Sequence, residues 1–94
     1  MSRYIRIAKE DVIMEGITND PWGHHFFIVY IDKRCSPSTV HINAYYCGRS
    51  DKKDEYEGNN AYDRRLCDDI GQLRKMTFDE IERCAYGAYM DGAR

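Results

Sequence analysis

Between His24 and Cys47 the chain reads HHFFIVYIDKRCSPSTVHINAYYC, and this stretch constrains the fold more than any other. Nine residues rich in β-branched and aromatic side chains, His24 to Asp32, suit a pleated, half-buried surface. A connection containing Pro37 follows, and then Thr39 to Cys47 alternates with period two. Two strands joined by six residues fold back as an antiparallel pair. In the return strand Val40, Ile42, Ala44 and Tyr46 share one face, with His41, Asn43 and Tyr45 on the other. Pairing Asp32 with Thr39 places Phe27, Val29 and Ile31 on the Val40 face. Phe26, Ile28 and Tyr30 then share the His41 face, and a slip of one residue exchanges the two.

Around this hairpin the pattern is weaker. Tyr4-Ile5-Arg6-Ile7 alternates as a strand does, and KEDVIMEGI (9–17) is ambiguous between strand and one helical turn, with strand favoured. TNDPWG (18–23) reads as a turn. Strands are thus expected within about 3–47 and a polar loop over 48–59. Helices are expected at about 60–75 and 78–91. Tyr62, Leu66, Ile70 and Leu73 make a helical stripe behind a capping Asn60. Thr77 and Glu80 form a T-x-x-E capping box, which Met76 and Ile81 close as a hydrophobic staple. Phe78, Ile81, Ala85 and Ala88 are the expected buried stripe of the second helix, which Gly92 ends. The expected object is a single α+β domain: a small antiparallel sheet of three or four strands with two C-terminal helices packed on one face.

Ninety-four residues, 43% hydrophobic and 32% charged, are ordinary for one folded domain. The longest apolar run, Phe26 to Ile31, has six residues, far below the roughly 18 a membrane helix needs. With a charged start, MSRYIRIAKED, the expected location is cytoplasmic and no membrane partner is expected. The net charge is −2, with six bases and five acids in residues 1–50 and eight bases and eleven acids in 51–94. That balance argues against general DNA binding, which calls for a basic face.

Four chemistries can be read into these residues. His24, His25, His41, Cys35 and Cys47 are metal-ligand types, but adjacent histidines on a strand point to opposite faces and no zinc spacing is present. Cys35, Cys47, Cys67 and Cys84 are therefore read as free thiols, and neither metal nor cofactor is expected. A Cys47–His24 nucleophile with Asp20 lacks an evident oxyanion loop. Asp68-Asp69 and Asp79-Glu80 are consecutive on expected helices and point about 100° apart, so neither makes a facing acid–base pair. An open face showing Phe26, Tyr30, His41, Asn43 and Tyr45 would stack unpaired bases, with Lys33, Arg34 and Arg49 as its thin basic complement.

The remaining signal is acidic. Seven acids lie between Asp51 and Asp69 against four bases. Spaced carboxylates on a small domain can occupy a basic groove, because complementary charge steers the encounter. On the second helix Tyr86 and Met90 stand opposite the expected buried stripe, beside Tyr89, as a contact for a partner or a second copy. The expected function is thus a non-enzymatic protein-binding module, an inhibitor or adaptor covering a basic surface of a nucleic-acid-handling complex. Asp51, Asp54, Glu55, Glu57 and Asp68 would supply charge, and Tyr56, Tyr86 and Met90 the apolar anchors. In size and charge such a module is similar to small acidic phage inhibitors such as anti-CRISPR or anti-restriction proteins. The alternative is single-stranded nucleic-acid binding through the aromatic sheet face.

Overall fold

A computed structural model describes residues 4–20, 23–34, 36–44 and 55–92. Strands β1 (Tyr4–Ala8), β2 (Val12–Asp20), β3 (Gly23–Asp32), β4 (Thr39–Asn43), β5 (Glu55–Asn59) and β6 (Asp63–Cys67) precede helices α1 (Ile70–Leu73) and α2 (Phe78–Gly92). Single 3-10 turns at Lys9–Asp11 and Asn60–Tyr62 lead into β2 and β6. The chain is α+β, with two antiparallel sheets and one main helix. Four strands lie in the order β2-β3-β4-β6, and among the described residues β1 pairs with β5 alone.

The central hairpin has the expected register, Asp32 opposite Thr39 and Tyr30 opposite His41. Its two faces accordingly differ. Phe27, Val29, Val40, Ile42 and Ala44 pack under Leu73, Ile81, Ala85 and Ala88. Ile28 and Tyr30, on the reverse face, pack under Ile7 and Tyr56 from the two-stranded sheet. The result is three layers, with α2 on one face of the four-stranded sheet and β1–β5 on the other. From Phe27 to Tyr30 both faces of β3 are buried, which is why this part reads as a continuous apolar run.

β2 reaches Asp20 and pairs with β3 from Gly23, so most of the expected turn at 18–23 is strand. Gly16 makes a close approach here: a Cβ on it would overlap the ring of Phe27, itself 1% exposed. Thr77 caps α2 as the sequence predicts. Its hydroxyl accepts from the Glu80 amide at 3.2 Å, and the Glu80 carboxylate accepts from the Thr77 amide at 3.1 Å. Met76 packs against the cluster that contains Ile81, as the staple requires.

Residues 60–75 correct the expectation of a first long helix. Asp63–Cys67 is instead a strand paired with β4, and only Ile70–Leu73 is α-helical, after the 3-10 turn at Asn60–Tyr62. Leu66 and Leu73 do reach the core, but Ile70 is exposed. A stripe at i, i+4 also has period-two members, and strand 63–67 completes the hydrogen bonds that β4 would otherwise leave open on that edge. Asn60 does not cap a long helix; Asn59 caps the 3-10 turn, its side chain accepting from the Ala61 amide at 2.9 Å. Within the expected loop 48–59, the segment Glu55–Asn59 is strand β5. Phe78 is a further correction. At 51% exposed it precedes the buried stripe of α2, which starts at Ile81.

Candidate functional site

The layer between the two sheets holds a charged cluster. β3 ends by placing Tyr30 and Asp32 on the side of β4 that carries His41, and β6 brings Asp63 in from the opposite edge. The Tyr30 hydroxyl donates to Asp63 Oδ1 at 2.5 Å, and Asn43 Nδ2 donates to the same oxygen at 3.3 Å. Arg34 donates from Nε and Nη2 to the two oxygens of Asp32, each at 2.9 Å. Its Nη2 also lies 3.4 Å from Asp63 Oδ2. His41 sits between both carboxylates, with Nδ1 2.9 Å from Asp63 Oδ2 and Nε2 3.3 Å from Asp32 Oδ2. Thr39 Oγ1 is 3.1 Å from the same Nε2.

Buried charge persists only when paired and hydrogen-bonded, and this cluster meets the condition. The side chains of Asp32 and Asp63 are only 6% and 7% exposed, whereas Arg34 covers them from the surface at 53%. Hydrogen bonds from Arg34 hold the Asp32 carboxyl below the usual carboxylate range, against the opposing effect of its burial. Burial, and then the bond to Asp63, push the Tyr30 phenol up, so it remains a donor throughout the physiological range. The same Asp32 contact pushes Arg34 up and keeps it cationic.

The arrangement ties β3, β4 and β6 together through their side chains. Each polar head is engaged by another member, and the two nitrogens of His41 diverge towards different carboxylates. A metal needs its ligands to converge on one point. Among the described residues no group of three or more His, Cys, Asp or Glu does so. A cleft of about 500 Å³ borders the cluster and is lined by Ile5, Arg6, Ile7, Tyr30 and Arg34 among others. Its three cations are matched: Arg6 lies 3.9 Å from Glu55, Lys33 2.7 Å from Asp11, and Arg34 2.9 Å from Asp32. A cleft with balanced charge offers an anion no net field.

The structure divides the residues singled out from sequence. Tyr30 is 3% exposed and packs beneath β1–β5, and His41 on the same face is half-buried between two carboxylates, so the face expected to stack bases is covered at these positions. Phe26 alone of the described aromatics on that face is exposed. Tyr56 is corrected as well. It is 4% exposed and packs with Ile7 and Tyr30, because β5 alternates and turns Glu57 outward in its place. Glu55 is half-buried at the rim. Asp68 is exposed and bonded to Arg65 at 2.5 Å, while Arg64 reaches Asp91 at 3.6 Å. Tyr86 and Met90 are half-buried on α2, the layer opposite β5, so the expected charge and anchor residues do not form one surface. Asp51, Asp54, Tyr45, Tyr46, Arg49, Cys35 and Cys47 lie outside the described residues, so the Cys47–His24 pairing does too. Cys67 and Cys84 are free thiols, and burial pushes the Cys67 thiol up.

Sequence reasoning placed Tyr30, His41 and Asn43 on one face but missed Asp32, Arg34 and Asp63 as their partners. Asp32 was legible: it continues the alternation Ile28, Tyr30, Asp32 on that face. Asp63 was not, because its stretch carries a helical stripe. No family model, curated protein or solved structure matches this chain. No helix among the described residues is long and apolar enough to cross a membrane.

Proposed function

We propose that this chain is a non-enzymatic protein-binding module, a small acidic inhibitor or adaptor that covers a basic surface of a nucleic-acid-handling partner. Anti-CRISPR and anti-restriction proteins are the kind of inhibitor meant. One observation carries the reading. β5 is pinned to β1 by its inward Tyr56, and it turns Glu57 to solvent directly after the acidic stretch that contains Asp51 and Asp54. An acidic edge held on a strand loses less freedom on binding than one on a loose loop, so more of its charge attraction is retained as affinity. Asp51, Asp54, Glu55 and Glu57 form the contact. Tyr56 anchors it from within, and Asp68, Tyr86 and Met90 lie apart from it.

The test is the triple reversal Asp54→Lys, Glu55→Lys and Glu57→Lys, used beside the parent chain to capture proteins from the native host at low and high salt. The parent is expected to retain a basic nucleic-acid-handling complex at low salt and release it at high salt. The variant, with its circular dichroism unchanged, is expected to retain none. Equal capture by both chains rejects the acidic edge as the contact.

A further inference from the structure

Among the described residues β2 pairs only with β3, which leaves its outer edge as the longest unpaired edge in the four-stranded sheet. Natural proteins blunt such edges with charge, bulges or cover, because rows of open amide and carbonyl groups recruit another strand. β2 is bulged at its start, between Val12 and Met14, and regular from Met14 to Asp20. Along that regular part the apolar surface is not hidden. Ile17 is 46% exposed and Phe26, its direct cross-strand neighbour on β3, is 43% exposed. Two adjacent apolar side chains are too small a patch to bind anything alone.

A two-fold axis doubles the patch, and the order of residues selects where that axis falls. In antiparallel pairing, residues directly opposite share a face, so outward Glu15 and Ile17 meet only outward positions. An axis at Glu15 sets two carboxylates against each other, and like charges directly opposite are destabilising. An axis at Gly16 puts each Ile17 against a Glu15. An axis at Thr18 puts Ile17 against Asn19. An axis at Glu15 would also bring Ile17 opposite Ile13, itself 40% exposed, but only with the two carboxylates opposed at its centre. An axis at Ile17 joins apolar to apolar without that repulsion and sets Glu15 opposite the uncharged Asn19. Among the described residues Glu15 has no ion pair to give up in doing so.

We infer that β2 pairs antiparallel with β2 of a second copy of this chain about a two-fold axis at Ile17, giving a continuous eight-stranded sheet. On one face it carries the stripe Phe26–Ile17–Ile17–Phe26. Two-fold dimers with self-complementary patches are the commonest oligomers. A contact of one seven-residue edge is small beside the roughly 800 Å² per partner of a standard interface, so the dimer is weak and exchanges with monomer. The surface is separate from the acidic edge of β5.

Sedimentation of the full chain over micromolar to submillimolar concentration, in reducing buffer, is expected to show a mass rising from one chain towards two. Ile17→Lys should remain monomeric throughout with its fold intact, since Ile17 is nearly half exposed. Ile17→Cys should cross-link in mild oxidant beyond the background of the parent's own thiols, because opposed residues in an antiparallel pair stand about 4.5–5.5 Å apart, within disulfide reach. A parent chain that stays monomeric, a dimer that survives Ile17→Lys, or Ile17→Cys that fails to cross-link above background each overturns the inference.

Discussion

The phenol of Tyr30 and the carboxylate of Asp63, 33 positions apart in sequence, meet at 2.5 Å in the layer where the two sheets close over each other. The bond joins a central strand to an edge strand and satisfies one oxygen of a carboxylate that solvent barely reaches. Tyr30→Phe keeps the ring in its cluster and removes only the donor. A carboxylate left short of a partner at 7% exposure costs more than an average hydrogen bond returns, so a loss of about 1–3 kcal/mol is expected. Urea unfolding at neutral pH measures it; a midpoint within error of the parent would mean that Asn43, Arg34 and His41 suffice to hold Asp63.

Asp32 makes stability depend on acidity in a defined direction. Arg34 lowers its folded carboxyl below the unfolded value, so the stabilisation is complete above the unfolded value, near pH ~4. It is lost as pH falls from there through the folded value. Arg34→Met removes the donors that cause the lowering and leaves Asp32 buried, so its carboxyl should rise and acid unfolding should begin at higher pH. Thermal melts between neutral and strongly acidic pH test the direction. Superimposable acid transitions in parent and variant would remove Arg34 as the cause.

Thr77 and Glu80 cap α2 reciprocally, and the helix they start carries Ile81, Ala85 and Ala88 into the larger core cluster. Thr77→Ala is expected to cost about 1 kcal/mol, within the usual range for a lost N-cap. Because the two side chains serve each other, Glu80→Ala in the Thr77→Ala background should cost less than it does alone. Strict additivity in a double-mutant cycle would show that the box is geometry without coupling.

Gly16→Ala sets two effects against each other. Alanine restricts the unfolded chain, which favours folding by roughly 0.5–1 kcal/mol. Its Cβ, however, would overlap the Phe27 ring, which is buried at 1% exposure and has little room to retreat. Overpacking of that kind costs about 1–3 kcal/mol, so a net destabilisation is expected in thermal or urea unfolding. A stabilised variant would mean that Phe27 shifts freely.

Local pattern was enough wherever two signals agreed over neighbouring residues. The run from His24 to Asp32, the alternation from Thr39 and a short connection determined the central hairpin and its Asp32–Thr39 register. Thr77, Glu80 and the spacing of Ile81, Ala85 and Ala88 determined α2. Both are legible because hairpin pairing and helix capping are interactions between residues close along the chain. Tertiary structure decided the rest. Residues 63–67 carry a stripe that suits a helix, yet the open edge of β4 recruits them as a strand, and a partner that distant leaves no mark in the local sequence. The same pairing delivers Asp63 to Tyr30 and His41. Likewise β1 and β5, about 50 residues apart, close over the reverse face of the sheet, so Tyr30 and Tyr56 became core while Phe26 and Ile17 stayed outside. Which face of an alternating strand is covered depends on what else in the chain arrives there. Composition and periodicity identify the faces, and only long-range packing chooses between them.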